Sequence, residues 1–244
     1  MKLNFSSVAT GLLLSLIGVQ QANAAIALDR TRVIYNGDSK SVSLNISNQN
    51  QKLPYLAQGW LEDANGNKIN SPLTVLPPVQ RIEPGAKSQV KVQALLAANT
   101  LAQDKETLFY FNLREIPPKS KTPNTLQLAL QTRIKLFYRP AAITPAKNDV
   151  WQEKLTLAKQ GDGYLATNPT PYYITIVAVS STAKGESLQG FEPFMVPPKG
   201  TAKVTGNAPG STPVLTFVND YGGRQKLAYS CGGASCTSKL LSDN

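Results

Sequence analysis

From Leu126 to Pro140 the chain reads LQLALQTRIKLFYRP. Its even positions, Leu126, Leu128, Leu130, Thr132, Ile134, Leu136 and Tyr138, are apolar save one threonine, and the odd ones include Gln127, Gln131, Arg133, Lys135 and Arg139. A period of two predicts a β-strand. Fully extended it would run on the order of 45 Å, far beyond the usual strand of about 5 to 6 residues. Such a row is either ordinary core along its whole length or is partly offered to another chain. An unpaired apolar edge is something natural sheets otherwise avoid.

The same period recurs upstream in shorter pieces. Ile26 to Tyr35 predicts a first strand leading into an Asn36-Gly37 turn, and Ser41 to Ser47 a second, with Val42, Leu44 and Ile46 inward. Leu53 to Glu62 follows with Tyr55 and Trp60 as core aromatics, ending at Asn65-Gly66. Pro77-Pro78 interrupts Leu73 to Ile82 and predicts an edge or kinked strand, and Glu83-Pro84-Gly85 turns the chain into Ser88 to Leu95. Leu108 to Ile116, a short Pro117 to Pro123 loop and the long strand make seven strands, the count of an immunoglobulin-like sandwich.

Past Pro140 the pattern restarts. Residues 141–148 form a linker, and Val150 to Ala158, Gly163 to Ala166, Tyr172 to Val179, Phe194 to Val196, Ala202 to Val204, Val214 to Asn219 and Lys226 to Cys231 read as shorter strands. No segment keeps a helical period with caps. The expected fold class is all-β, with two β-sandwich domains at 25–140 and 149–244.

The first 24 residues differ from the rest. Lys2, an apolar run from Val8 to Val19 and Ala22-Asn23-Ala24 form an export signal with a cleavage site before Ala25. The run is shorter than the roughly 20 residues that span a bilayer, so no membrane insertion is expected. Export places Cys231 and Cys236 in an oxidising compartment, where they read as one short disulfide worth about 2 kcal/mol, ahead of a redox or metal role.

Charge narrows the partners. Lys and Arg number 25 against 15 Asp and Glu, a net charge of +10. The basic residues are scattered without a run or a nucleic-acid motif, so acidic protein partners, or a single carboxylate in a cleft, fit better than nucleic acid. Catalysis has little to work with. The chain has no His, the commonest general base and metal ligand. Gly222-Gly223-Arg224 and Cys231-Gly232-Gly233 lack the strand-to-helix setting of a phosphate loop, and no carboxylate spacing suggests a glycosidase pair. A non-enzyme without metal or cofactor is expected.

Several blocks carry a resemblance: LPYLAQ from Leu53, PPVQR from Pro77, EPGAK from Glu83, LFYFNLREIPP from Leu108, IKLFYRPAA from Ile134 and NDYGGR from Asn219. Together they resemble the periplasmic chaperones of chaperone-usher pili, over essentially the whole chain after the signal. The resemblance implies two immunoglobulin-like domains in a boomerang arrangement. The last strand of the first domain is lent to a pilus subunit that lacks one of its own, and an outer-membrane usher receives the complex. On that footing Leu126, Leu128 and Leu130 are donor-strand contacts, and Arg32 and Lys135 hold the subunit's C-terminal carboxylate. Glu106, Arg139 and Asp220 form a salt-bridge network between the domains. The short Pro117 to Pro123 loop resembles the subfamily that builds rod-like pili. A second copy of the chain is the other candidate to cover the lending strand in the free protein. The competing class is a secreted all-β adhesin or carbohydrate-binding protein, which would show exposed Trp or Tyr platforms.

Overall fold

The computed structural model describes residues 24–161, 163–204, 210–233 and 235–241, so the export signal lies outside the described residues except for Ala24. Among them there are 18 strands, three short 3-10 turns and no α-helix. Nor is any helix long and apolar enough to cross a membrane.

The first domain is a sandwich of two sheets. One has the order β1 (Ile26–Leu28), β3 (Ser41–Asn48), β8 (Lys87–Ala94), β6 (Leu73–Leu76). The other has the order β2 (Arg32–Asn36), β10 (Gln131–Arg139), β9 (Thr107–Ile116), β4 (Tyr55–Glu62), β5 (Lys68–Ile69), with β7 (Val79–Ile82) also on β4. Between them lies one apolar core that includes Val33, Tyr35, Leu44, Ile46, Leu61, Val90, Val92, Phe111, Leu113, Ile134, Leu136 and Tyr138.

The strand expected over Ile26 to Tyr35 is two strands. β1 pairs antiparallel with β3, whereas β2 crosses to the other sheet and pairs parallel with β10. Asp29 makes the crossing, accepting hydrogen bonds from Asn45 N and Nδ2 while pairing with Arg30 at 2.8 Å. Pro77-Pro78 likewise separates β6 from β7, which lie in different sheets. Trp60 is not core. It lies half-buried on the outer face of β4, donating to Glu62 at 3.0 Å, with Arg114 and Lys68 at 5.1 and 5.7 Å from its ring. Position 60 has the parity of Gln58 and Glu62, and it is Ala57, Gly59 and Leu61 that face inward.

The long strand is also shorter than expected. β10 begins at Gln131, opposite Arg114 of β9, and the last ladder contact is Glu115 N donating to Leu130 O at 3.0 Å. Beyond Ile116 the partner strand becomes Pro117-Pro118, which has no N–H to continue the pairing.

The second domain is one eight-stranded sheet curled around its own core. Its order is β14 (Phe194–Val196), β13 (Ile174–Ser180), β16 (Val214–Val218), β17 (Arg224–Gly232), β18 (Ser235–Leu241), β11 (Thr156–Gln160), β12 (Gly163–Asn168), β15 (Gly200–Val204). Trp151, Leu155, Leu157, Tyr164, Ile174, Ile176, Leu215, Phe217 and Leu227 fill the interior. The stretch from Val150 opens with a 3-10 turn, Trp151–Lys154, before β11 starts. β18 went unread in the sequence because its Ser235-Cys236-Thr237-Ser238-Lys239 run is mostly polar and small. Cys231 of β17 and Cys236 of β18 are joined by a disulfide across that hairpin.

Candidate functional site

The even row of the alternating segment has two fates. Ile134, Leu136 and Tyr138 are buried in the first core. Leu126, Leu128 and Leu130, in the stretch that leads into β10, are 84%, 67% and 42% exposed. Gln127, of opposite parity, reaches back to Pro118 O and holds the segment beside the loop. Three leucines of one parity thus stand in water just before β10. Burying each fully against a partner would contribute about 1.5–3 kcal/mol before association costs.

At the lower end of the row two cations meet. β2 pairs with β10 only from Lys135, which lies opposite Arg32, to Arg139. No strand of the described residues covers the same edge of β10 from Gln131 to Ile134. Cross-strand partners share a face, so the Arg32 and Lys135 side chains rise together from the sheet, both half-buried. Each touches the second domain: Arg32 Nη1 donates to Val218 O at 3.2 Å and Lys135 Nζ to Thr175 Oγ1 at 3.4 Å. The Arg32 Nε–H is buried and has no acceptor among the described residues. Burial, and then the neighbouring Arg32, pull Lys135 down to about 8. Burial also holds Arg32 below its ordinary value, with Asp220 opposing. Two desolvated cations with an unpartnered Nε–H have the chemistry to accept an anion.

A third cluster lies between the domains. Arg139 is 4% exposed, contacts Glu106 at 2.7 Å and grips Asp220 with a fork of 2.7 and 3.1 Å. Glu106 also accepts Tyr173 N at 2.7 Å, and Trp151 and Tyr172 lie against the guanidinium at 5.1 and 4.9 Å. Burial pushes Glu106 up to about 7 against the pull of Arg139 and the Tyr173 N–H. For Arg139, burial pulls downward, but its bonds to Asp220 and Glu106 outweigh that and leave it raised. The loop bearing Asp220 can seat here because Gly222, at φ +86°, would place any Cβ 2.6 Å from Thr31 Oγ1.

The donor, anchor and interdomain residues singled out in the sequence therefore fall into three places, the leucine row, the cation pair and the interdomain ion cluster, while Cys231 and Cys236 form the disulfide of the β17–β18 hairpin. What sequence reasoning missed is the second domain's share. Thr175 and the Val218 carbonyl lie in ordinary strands whose patterns carry no signal of a role.

With this geometry in hand, comparisons with known proteins are specific. Residues 25–144 match the family described as "Pili and flagellar-assembly chaperone, PapD N-terminal domain", and residues 150–229 match "Pili assembly chaperone PapD, C-terminal domain". The chain is 50% identical to the chaperone protein PapD of Escherichia coli, over 91% of this chain and 92% of that protein. It is 51% identical to the probable fimbrial chaperone YfcS of Escherichia coli K12, over 88% of this chain and 86% of that one. Among solved structures it resembles the periplasmic chaperone SfaE, with 32% identity, a TM-score of 0.67 and coverage of 83% and 98%. It also resembles a Salmonella enterica structure of the SafA pilin in complex with the SafB chaperone, with 27% identity, a TM-score of 0.70 and coverage of 90% and 97%. Sequence, both domains and fold agree: the chain belongs to the pilus-assembly chaperone family.

Proposed function

We propose that this chain works in the periplasm as a non-enzymatic chaperone. It captures pilus subunits by lending them the strand that ends in β10, caps them while they fold, and hands them to an outer-membrane usher. The observation that carries this reading is the exposed row Leu126, Leu128, Leu130, which immediately precedes β10 in the chain, the strand that carries the Arg32–Lys135 pairing.

That layout sets the direction of capture. An incoming strand can add to the free edge of β10 only up to the point where β2 begins, at the register of Lys135. A strand whose C-terminal carboxylate meets the two cations there must extend back toward Leu126, and so runs parallel to β10. Its backbone continues the sheet while the leucines enter the subunit's groove. Arg32 supplies a planar fork and Lys135 a compact ammonium for the carboxylate. The Glu106–Arg139–Asp220 cluster fixes the relation of the two domains; a buried network of this kind specifies orientation more than it adds stability.

A single purification tests the reading. The tagged protein, recovered from the periplasm of pilus-expressing cells, should bring down a pilin-like chain in a one-to-one complex identified by mass. Recovery of no such chain would overturn it, and retention on a sugar resin would favour the lectin class.

A further inference from the structure

We infer that the second domain is a wall of the carboxylate site, with Thr175 positioning Lys135 and the Val218 carbonyl positioning Arg32, so that carboxylate capture and docking of the two domains reinforce one another. This rests on the reading of Arg32 and Lys135 as the subunit's carboxylate anchor.

The two cations stand on the first domain, yet among the described residues the hydrogen bonds their side chains make go to the second. With Nη1 of Arg32 occupied by Val218 O, the buried Nε–H is left unpartnered, a donor that an incoming oxygen would satisfy. An ammonium carries three protons. Thr175 takes one from Lys135 and leaves two for an incoming carboxylate. Neither contact has to break on capture. Both fix long side chains whose rotamer entropy would otherwise be lost on capture.

Charge ties the same site to the joint. Asp220, forked onto Arg139, also attracts Arg32. Three cations, Arg32, Lys135 and Arg139, face two carboxyl groups, Glu106 and Asp220, and because burial raises Glu106 to about 7 the cluster carries an excess of positive charge. One carboxylate brings the cluster closer to neutrality. A cluster that spans both domains and is closer to balance when filled should hold them more firmly when filled. By thermodynamic reciprocity, holding them more firmly favours filling.

Thr175 is buried, and valine is close to its shape, so Thr175→Val removes the hydroxyl with little change in packing. The probe is a synthetic peptide of the C-terminal strand of the subunit recovered in the one-to-one complex, made as free acid and as amide. The unmodified protein should prefer the acid. In Thr175→Val that preference should fall about tenfold, the value of one hydrogen bond to a charged group, while Thr175→Ser keeps it. With dyes at Lys91→Cys and Lys239→Cys, one exposed site on each domain, the acid should narrow the interdomain distance distribution and the amide should not. An unchanged acid preference in Thr175→Val, or an equal loss for acid and amide, overturns the positioning role and leaves the anchor standing. A distance distribution indifferent to the acid overturns the coupling. Equal binding of acid and amide by the unmodified protein removes the anchor itself, and this inference with it.

Discussion

The two halves of one alternating row are indistinguishable by pattern and opposite in fate. Ile134, Leu136 and Tyr138 close the first domain's core, whereas Leu126, Leu128 and Leu130 stand in water. What separates them is whether a partner strand lies alongside. β9 carries backbone donors up to Ile116 and then turns into Pro117-Pro118. The lesson is that an alternating row declares a buried face without declaring whose core it enters.

The comparison breaks most sharply under substitution by charge. Leu136→Glu puts a carboxylate into a fully buried position and should cost upwards of about 4 kcal/mol, enough to unfold the first domain in a thermal melt. Leu128→Glu should leave the melting curve nearly unchanged and abolish subunit capture in a pull-down. A collapse of the Leu128→Glu midpoint would make the row a single core after all.

Lys135 sits where the halves meet. Its folded value of about 8 lies below the ordinary lysine value of 10.5, so the stability it contributes is present above 10.5 and lost as pH falls through about 8. At neutral pH the charged group therefore weighs against the fold. Lys135→Met should raise stability by about 1 kcal/mol once solvent screening of a partly exposed group is allowed for, and should erase the preference for a free subunit carboxylate. In the unmodified protein, titration calorimetry should show that preference declining above about pH 8, where the free ammonium loses its proton. A flat profile to pH 10 would remove Lys135 from the anchor.

Glu106 tests the joint between the domains. Its value, raised from 4.5 to about 7, means its protonation supports the folded joint fully below 4.5, and that support is lost as pH rises through about 7. The stability difference between the unmodified protein and Glu106→Gln should thus shrink or reverse in sign between pH 5 and 8 in parallel denaturant melts, with peptide binding affected less than folding. A difference independent of pH would show that Arg139 keeps Glu106 ionised throughout.

The smallest effect belongs to the disulfide, remote from both halves. Replacing Cys231 and Cys236 by Ser should cost at most about 2 kcal/mol, mostly in the second domain, and leave subunit affinity alone. A strong loss of affinity would tie the β17–β18 hairpin to capture.

Much of this was legible in the chain because alternation is a local property. β3, β8, β9 and β16 fall where their apolar positions put them. The misplacements have a common cause: pairing is not written in any one strand. Ile26 to Tyr35 alternates without a break, yet it changes sheets at Asp29, whose side chain is taken by Asn45, 16 residues away. Trp60 has the composition of a core residue and the parity of an outer one, and parity prevailed. The cation pair was found through motif likeness, since a lysine on a polar strand face looks like any other. Thr175 was out of reach, because only the docking of the two domains brings it to Lys135.

β2 is five residues long and covers β10 only from Lys135 onward. On the proposed reading, that would make the first domain a gauge as well as a donor. A guest chain laid along the free edge would stop at Arg32, so its last residue, whatever the rest of its sequence, would be set at a fixed distance from each leucine. Subunits that keep the same number of residues between chain end and groove could then share one chaperone while differing everywhere else. A subunit longer or shorter by a single residue would present the wrong face of its strand to the leucines.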